Sequence, residues 1–191
     1  MSVEPVIEVS NLNFSYNNIS VLENISFAVQ KGDYVGIIGP NGGGKTTLLK
    51  ILVGLLKPQS GFIKIFGTDL QKLKHRSEIG YVPQRVAQES VAFPATVYEI
   101  VESGLITKKG LRGDITEADK QAIDRALEMA NISNLRNRLM SSLSGGQRQR
   151  VYVTRALASD PKILILDEPF TGVDIISQKD FRKYRIAIVQ G

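Results

Sequence analysis

Short apolar runs rich in Val, Ile, Phe and Tyr fill the first 38 residues, and the polar stretches YNN and KGD interrupt them. Runs of this kind between turn residues predict β-strands joined by tight turns, the last of which lies at 34–38. A glycine-rich loop follows, and the apolar spacing then predicts a helix from about 45 to 55. The inner face of that helix would carry Leu48, Leu49, Leu52 and Leu56. The stretches GFIKIFG and IGYVPQ predict two more strands.

The pattern becomes helical between about residue 95 and residue 159. Thr116 and Asp119 predict a capping box at the start of the helix TEADKQAIDRALEMA. The apolar residues of this helix share one stripe, namely Ile123, Ala126, Leu127 and Ala130. KILILD is then a continuous apolar run, as expected of a strand buried on both faces. Strand, loop and helix followed by a later buried strand predict an α/β core with a helical insert.

The composition is that of an ordinary globular domain with a modest excess of positive charge. The 191 residues include 24 Lys and Arg against 19 Asp and Glu, which gives a formal charge of +5. This excess suits anionic partners such as nucleotide phosphates or lipid head groups. The charges are interspersed and form no long basic tail, so we do not expect nucleic acid as a partner.

Residue content also excludes several kinds of site. Without cysteine, the chain cannot hold a disulfide, an Fe–S cluster or a thiolate zinc site. The start MSVEPVIEVSN lacks the apolar core of a secretory signal, and the lysine-interrupted LLKILVGLLK is too short to span a bilayer. We therefore expect a soluble, cytoplasmic chain whose link to a membrane comes through a partner.

The stretch GPNGGGKTT has the spacing of a phosphate-binding (Walker A) loop, and it lies between a predicted strand and a predicted helix. Glycines let backbone N–H groups curl around phosphates at the helix N-terminus. Lys45 can reach the β- and γ-phosphates, and the Thr46 hydroxyl can bind Mg²⁺. The nucleotide-binding candidates are Gly39, Pro40, Asn41, Gly42, Gly43, Gly44, Lys45, Thr46 and Thr47.

Two carboxylates end the buried strand in ILILDEP, at the sheet edge where open α/β sheets bind ligands. Asp167 is the natural Mg²⁺ partner, and Glu168 could polarise a water molecule for attack on the γ-phosphate. Acidic residues at strand ends are often only solvated caps. The preceding Walker A loop favours the Walker B interpretation.

Between these two motifs stands LSGGQ, and with it the chain resembles the ATP-binding-cassette (ABC) ATPases over nearly its whole length. In that family the signature serine and glycines face the γ-phosphate of the nucleotide held by a second subunit. The resemblance therefore implies that Ser144, Gly145, Gly146 and Gln147 contact a partner's ATP. Read locally, the same stretch is an ordinary serine-capped helix start.

The resemblance adds three further positions. Tyr16 resembles the family's aromatic residue that stacks on adenine, although a lone tyrosine more often serves packing. Gln84 resembles the Q-loop glutamine, a catalytic and Mg²⁺-contacting residue, although by itself it could be a simple loop residue. Asp174 resembles the D-loop aspartate, and the resemblance makes it a further nucleotide-binding candidate.

The fold implied by the resemblance is a P-loop NTPase core with an N-terminal antiparallel β-subdomain and an inserted α-helical subdomain. Residues of about 1–90 and 160–191 would form the β-subdomain and core, and about 91–159 the helical subdomain. The family's switch histidine follows a further core strand, whereas this chain ends 23 residues after Glu168 and its only histidine is His75. We expect the last core strands to be missing and hydrolysis to be feeble, although the ending DFRKYRIAIVQG alternates like a strand.

The stretch FPATVYEIVESGL after the Q-loop resembles zinc- and manganese-type metal importers. The resemblance implies a peripheral ATPase, with ATP and Mg²⁺ as cofactors, at the cytoplasmic face of the membrane. Its partners would be a second ABC subunit, membrane-spanning permease subunits and an extracytoplasmic solute-binding protein. Two alternatives remain: a soluble ABC ATPase that drives a cytoplasmic assembly, and a nucleotide-binding fragment with little hydrolysis.

Overall fold

The computed structural model describes residues 4–73, 76–84, 94–109, 113–167 and, for the backbone alone, 185–189. The N-terminal strands β1 (Ile7–Tyr16), β2 (Ile19–Val29), β4 (Ser60–Ile65) and β5 (Thr68–Asp69) form an antiparallel sheet. The strand order in this sheet is β2-β1-β4-β5. Apolar residues alternate along β1, as in a strand with one buried face.

A second, parallel sheet contains β3 (Tyr34–Ile37), β6 (Ile79–Val82), β7 (Ile163–Asp167) and β8 (Arg185–Val189). The strand order in this sheet is β3-β8-β7-β6. Every residue of β7 is buried, which fits a strand covered on both faces. Because the strands are parallel, their carboxyl ends meet at one edge, and the phosphate-loop candidates and Asp167 lie at that edge.

Helix α1 (Lys45–Leu52) packs between the two sheets. Leu49 and Leu52 are buried in one cluster with residues of β1, β4 and β7, which fixes the helix start close to the end of β7. The predicted helix is confirmed, but it ends at Leu52 because Gly54 adopts a left-handed backbone with φ of 75°. Leu56 lies beyond the helix and is only partly buried against the same cluster.

The region predicted to be helical contains α2 (Val97–Glu102), α3 (Ile106–Lys109), α4 (Glu117–Met129) and α5 (Gly145–Ala158). Short 3₁₀ turns lie between α2 and α3 and between α4 and α5. The capping box of Thr116 with Asp119 is confirmed at the start of α4. The predicted apolar stripe is confirmed as well, because Ile123, Ala126, Leu127 and Ala130 are all buried. Within the described residues, no helix has the length and apolar character needed to cross a membrane.

Strand β8 corrects one expectation. We expected the last core strands to be missing, yet β8 lies between β3 and β7 and pairs in parallel with both. The expectation is wrong for this strand, while the strand-like alternation of the ending is confirmed. A parallel pair of strands needs a connection of about a dozen residues. Residues 168–184 separate β7 from β8, so the chain between the two strands is long enough for parallel pairing.

Candidate nucleotide-binding site

The loop between β3 and α1 adopts a backbone that requires glycine. Gly42 and Gly44 both have φ of 80°, in the left-handed region that side chains rarely adopt. A Cβ atom on Gly44 would lie 2.9 Å from the carbonyl oxygen of Val21 and 2.9 Å from a methyl carbon of Leu22. The loop therefore passes tightly against β2, and its path depends on Gly44.

The N-terminus of α1 lacks the side-chain cap that three other helices carry. Helices α2, α4 and α5 each begin with a complete capping box. The N-cap residue of α1 is Gly44, which has no side chain to cap the helix, and the first turn contains no acidic residue. The backbone N–H groups of that turn have no partner within the helix, so this helix start fits an external anion such as a phosphate group.

Lys45 follows directly and is folded over the same loop. Its ammonium group donates to the carbonyl oxygens of Gly39 at 2.7 Å and of Pro40 at 2.9 Å, and the residue is buried. Both acceptors are neutral, so the positive charge of Lys45 is available to phosphate oxygens at the mouth of the loop.

The structure joins Thr46 to Asp167 across 121 positions of sequence. The Thr46 hydroxyl donates to one carboxylate oxygen of Asp167 at 3.1 Å, and Asp167 is only 1% exposed. A hydroxyl and a carboxylate are hard oxygen ligands of the kind that Mg²⁺ binds beside substrate phosphates. The predicted Mg²⁺ ligands Thr46 and Asp167 thus meet at the base of the phosphate loop.

Tyr81, which sequence reasoning missed, contacts the same carboxylate. Its phenol donates a long hydrogen bond of 3.5 Å to the second oxygen of Asp167. Burial, with the adjacent Asp167 charge, raises the pKa of Tyr81 to about 12, so the phenol stays protonated as a donor. The available sequence signal was a phenol inside the otherwise apolar strand of IGYVPQ, two residues before a proline.

A cavity of about 530 Å³ opens over this loop, within the range typical of small-molecule sites. Its walls bring two more predicted residues to the loop: Tyr16, which packs edge-on against Phe14 with ring centres 4.8 Å apart, and Gln84. Val21 also lines the cavity and was not predicted. The lining residues are Tyr16, Val21, Asn41, Gly42, Gly43, Gly44, Lys45, Thr46, Thr47 and Gln84.

The signature stretch lies elsewhere and forms the start of α5. The Ser144 hydroxyl accepts from the Gln147 backbone N–H at 3.3 Å, and the Ser144 N–H donates to the Gln147 side chain at 3.0 Å. Ser144 and Gly145 are exposed, and a Cβ on Gly145 would meet nothing within 4 Å. Among the described lining residues of the cavity, none comes from the stretch from Ser144 to Gln147.

The predicted site residues Glu168 and Asp174 lie outside the described residues. His75, which is not a predicted site residue, lies outside them as well.

Known proteins resemble this chain in sequence and in fold. Residues 22–171 match the family model described as ABC transporter. The chain is 48% identical to the zinc uptake system ATP-binding protein ZurA of Listeria innocua, over 92% of this chain and 68% of that protein. It is 38% identical to the high-affinity zinc uptake system ATP-binding protein ZnuC of Bacillus subtilis, over 97% and 79% of the two chains. Its fold matches cbiO1 of Clostridium perfringens, described as part of the ABC transporter complex cbiONQ, with a TM-score of 0.80, 28% identity and coverage of 98% and 79%.

Proposed function

The chain belongs to the ABC transporter family, and from this we propose that it is the ATP-hydrolysing subunit of an importer for zinc or a similar divalent metal. The relatives described as zinc uptake proteins support zinc as the transported metal. The resemblance of FPATVYEIVESGL to zinc- and manganese-type importers supports the same assignment. The observation that carries the ATPase assignment is the hydrogen bond from Thr46 to Asp167. This contact lies at the N-terminus of α1, whose N-cap residue Gly44 provides no capping side chain.

In this proposal the first-turn N–H groups of α1 bind the phosphates, and Lys45 neutralises the β- and γ-oxygens. Thr46, Asp167 and Gln84 would hold Mg²⁺, which would offset the negative charge that develops during phosphoryl transfer. Tyr16 stacks on the adenine, and Glu168 accepts a proton from the attacking water.

We propose that the chain works as a pair, since the signature residues do not line its own cavity. In this proposal Ser144, Gly145 and Gly146 would face the nucleotide of a second subunit, and Asp174 would also contact nucleotide. The exposure of Ser144 and Gly145 at the positive end of the α5 dipole supports this role.

The partners we propose are membrane-spanning permease subunits and an extracytoplasmic solute-binding protein. Permease subunits would hold the pair at the cytoplasmic face of the membrane. Residues of about 91–159 would act as the helical subdomain that carries the signature stretch.

The test is zinc uptake by a bacterium that lacks the ATP-binding subunit of its own zinc importer. Expression of this chain should restore uptake of radioactive zinc at limiting concentration, whereas Lys45→Ala should not. Lys57→Ala, which removes an exposed lysine just beyond α1, is the matched control and should behave like the unaltered chain. Uptake that survives Lys45→Ala, or failure of the purified chain to bind ATP, would contradict the proposal.

A further inference from the structure

Gln149 is a buried polar residue that the proposed mechanism does not use. It lies in the second turn of α5 and is 6% exposed. Its side-chain nitrogen Nε2 has no hydrogen-bond partner among the described residues, a condition shared only with Nε of the adjacent Arg148. Buried side-chain donors are nearly always paired in native proteins, so this one calls for a physical explanation.

The position of Gln149 follows from helical spacing. Val153 and Leu157, four and eight residues later, pack with Val82 of β6 and with Leu164 and Leu166 of β7. Gln149 therefore continues the face of α5 that covers the parallel sheet. Its Cα lies about 6 Å nearer the helix start than that of Val153.

The direction of α5 places this residue toward the functional edge of the sheet. Helix α5 ends at Ala158 and β7 begins at Ile163, so the short connection makes the helix run back along the strand. Its start then lies toward the carboxyl ends of β6 and β7, which carry Gln84 and Asp167. The Gln149 amide thus lies between the signature stretch and that edge.

A second buried polar residue on the same helix behaves differently. Thr154 is fully buried, and its hydroxyl donates to the carbonyl oxygen of Arg150 at 2.8 Å. That partner lies within α5, so the bond is independent of how the helix sits on the sheet. The free donor of Gln149, by contrast, faces the surface against which α5 packs.

We propose that Gln149 is a positioning residue for ATP-driven pairing, an inference that rests on the proposed function. Its amide donates to an oxygen at the carboxyl edge of the parallel sheet when α5 takes the position required in the pair. An unpaired buried donor costs free energy, and a hydrogen bond recovers that cost, so the amide favours the arrangement in which it is paired. Gln149 thereby links the orientation of the signature stretch to the strand ends that hold the nucleotide.

The test replaces the amide with a side chain of similar length that cannot hydrogen-bond. Gln149→Met removes the unpaired donor, so the Tm of the chain without nucleotide should rise by about 2–4 °C or more. In a Glu168→Gln background, which retains bound ATP, the same change should weaken ATP-driven pairing roughly tenfold in analytical ultracentrifugation. ATP affinity of the monomer, measured by fluorescence of a labelled analogue, should not change.

Thr154→Val is the matched control, because it removes a buried hydroxyl whose partner lies in the same helix. It should leave pairing unchanged. If Gln149→Met raises Tm and leaves pairing unchanged, the amide has no role and the inference is wrong. A fall in Tm would show that the amide is already paired in the resting fold, which also overturns it. Failure of the unaltered chain to pair with ATP would instead refute the proposed function, and the inference with it.

Discussion

At the residue scale, the carboxylate of Asp167 is held by two hydroxyl groups from separate elements. Thr46 comes from the first turn of α1 and Tyr81 from β6, and each contacts a different oxygen of Asp167. Partners of this kind fix the orientation of a metal-binding carboxylate and are nearly as important as the ligand itself. Tyr81 should therefore influence Mg²⁺ binding without contacting the nucleotide.

Tyr81→Phe removes only the phenol oxygen and should make the Asp167 carboxylate less well oriented. We expect the Mg²⁺ concentration that half-saturates the increase in ATP affinity to rise roughly tenfold. ATP affinity in the presence of EDTA should stay the same, because the phosphate loop is untouched. Titrating Mg²⁺ against fluorescence of a labelled ATP analogue measures both quantities.

Tyr34→Phe serves as the control, since Tyr34 is an exposed tyrosine of the same sheet. It should leave the Mg²⁺ titration unchanged. Equal titrations for Tyr81→Phe and the unaltered chain would show that the Tyr81 phenol does not orient the carboxylate for Mg²⁺ binding.

The two residues of this contact differ in how far sequence predicts them. The role of Thr46 is predicted by a local motif, whose spacing indicates both a phosphate-binding loop and a hydroxyl for Mg²⁺. Tyr81 depends on the registry of β6 with β7, where it pairs with Ile165, and no local pattern encodes that pairing. Val21 is similar, because it reaches the cavity only through the close approach of β2 to Gly44.

At the scale of elements, helix starts are predictable because capping is a local code. The start of α4 shows how strongly a cap can bind its carboxylate. Asp119 accepts from the backbone N–H of Thr116 at 2.8 Å, from the Thr116 hydroxyl and from the ammonium group of Lys109. The hydrogen bond from Lys109, with those from Thr116, lowers the pKa of Asp119 to about 2. This cluster ties α3 to the start of α4.

Asp119→Asn should lower the free energy of unfolding at pH 7, since the ion pair with Lys109 and part of the cap are lost. A depressed pKa means that the carboxylate stabilises the fold above its unfolded value of about 3.8 and loses that effect as pH falls toward about 2. The difference in the free energy of unfolding between Asp119→Asn and the unaltered chain should therefore be full at pH 5 and shrink between pH 4 and pH 2. Urea unfolding followed by circular dichroism at each pH measures it.

Glu117→Gln offers the comparison, because Glu117 lies in the same first turn and is 75% exposed in its surface pair with Lys120. Its effect on stability should be small at every pH. A difference for Asp119→Asn that does not change with pH would assign its effect to packing and not to charge.

At the scale of the whole molecule, the sequence predicts which elements exist better than it predicts their order in space. Alternation predicts a strand in RIAIV, but its place between β3 and β7 follows from long-range pairing. The same distinction applies to the nucleotide site. Local motifs name the phosphate loop and the signature stretch, whereas only the fold shows that the signature residues lie outside the cavity.

That separation allows a test of our proposal that two chains share a nucleotide. Ser144→Arg should leave ATP affinity of the monomer intact and abolish ATP-driven pairing, since a bulky side chain would stand where a partner's γ-phosphate must approach. Because Ser144 also caps α5, its loss costs about 0.5–2 kcal/mol of stability. Ser144→Asp separates the two effects: it retains a capping side chain but opposes a phosphate by charge, so it should abolish pairing with little loss of Tm.

Thr116→Arg supplies the matched control for this pair of variants. It removes the cap of α4, and so destabilises the chain in the same way as Ser144→Arg, but pairing with ATP should persist. Analytical ultracentrifugation with ATP in the Glu168→Gln background measures pairing, and fluorescence of a labelled analogue measures monomer binding. If Ser144→Asp weakened monomer binding as much as pairing, Ser144 would serve the nucleotide of its own chain. If it weakened pairing alone, each complete site would be built from the phosphate loop of one chain and the start of α5 in another.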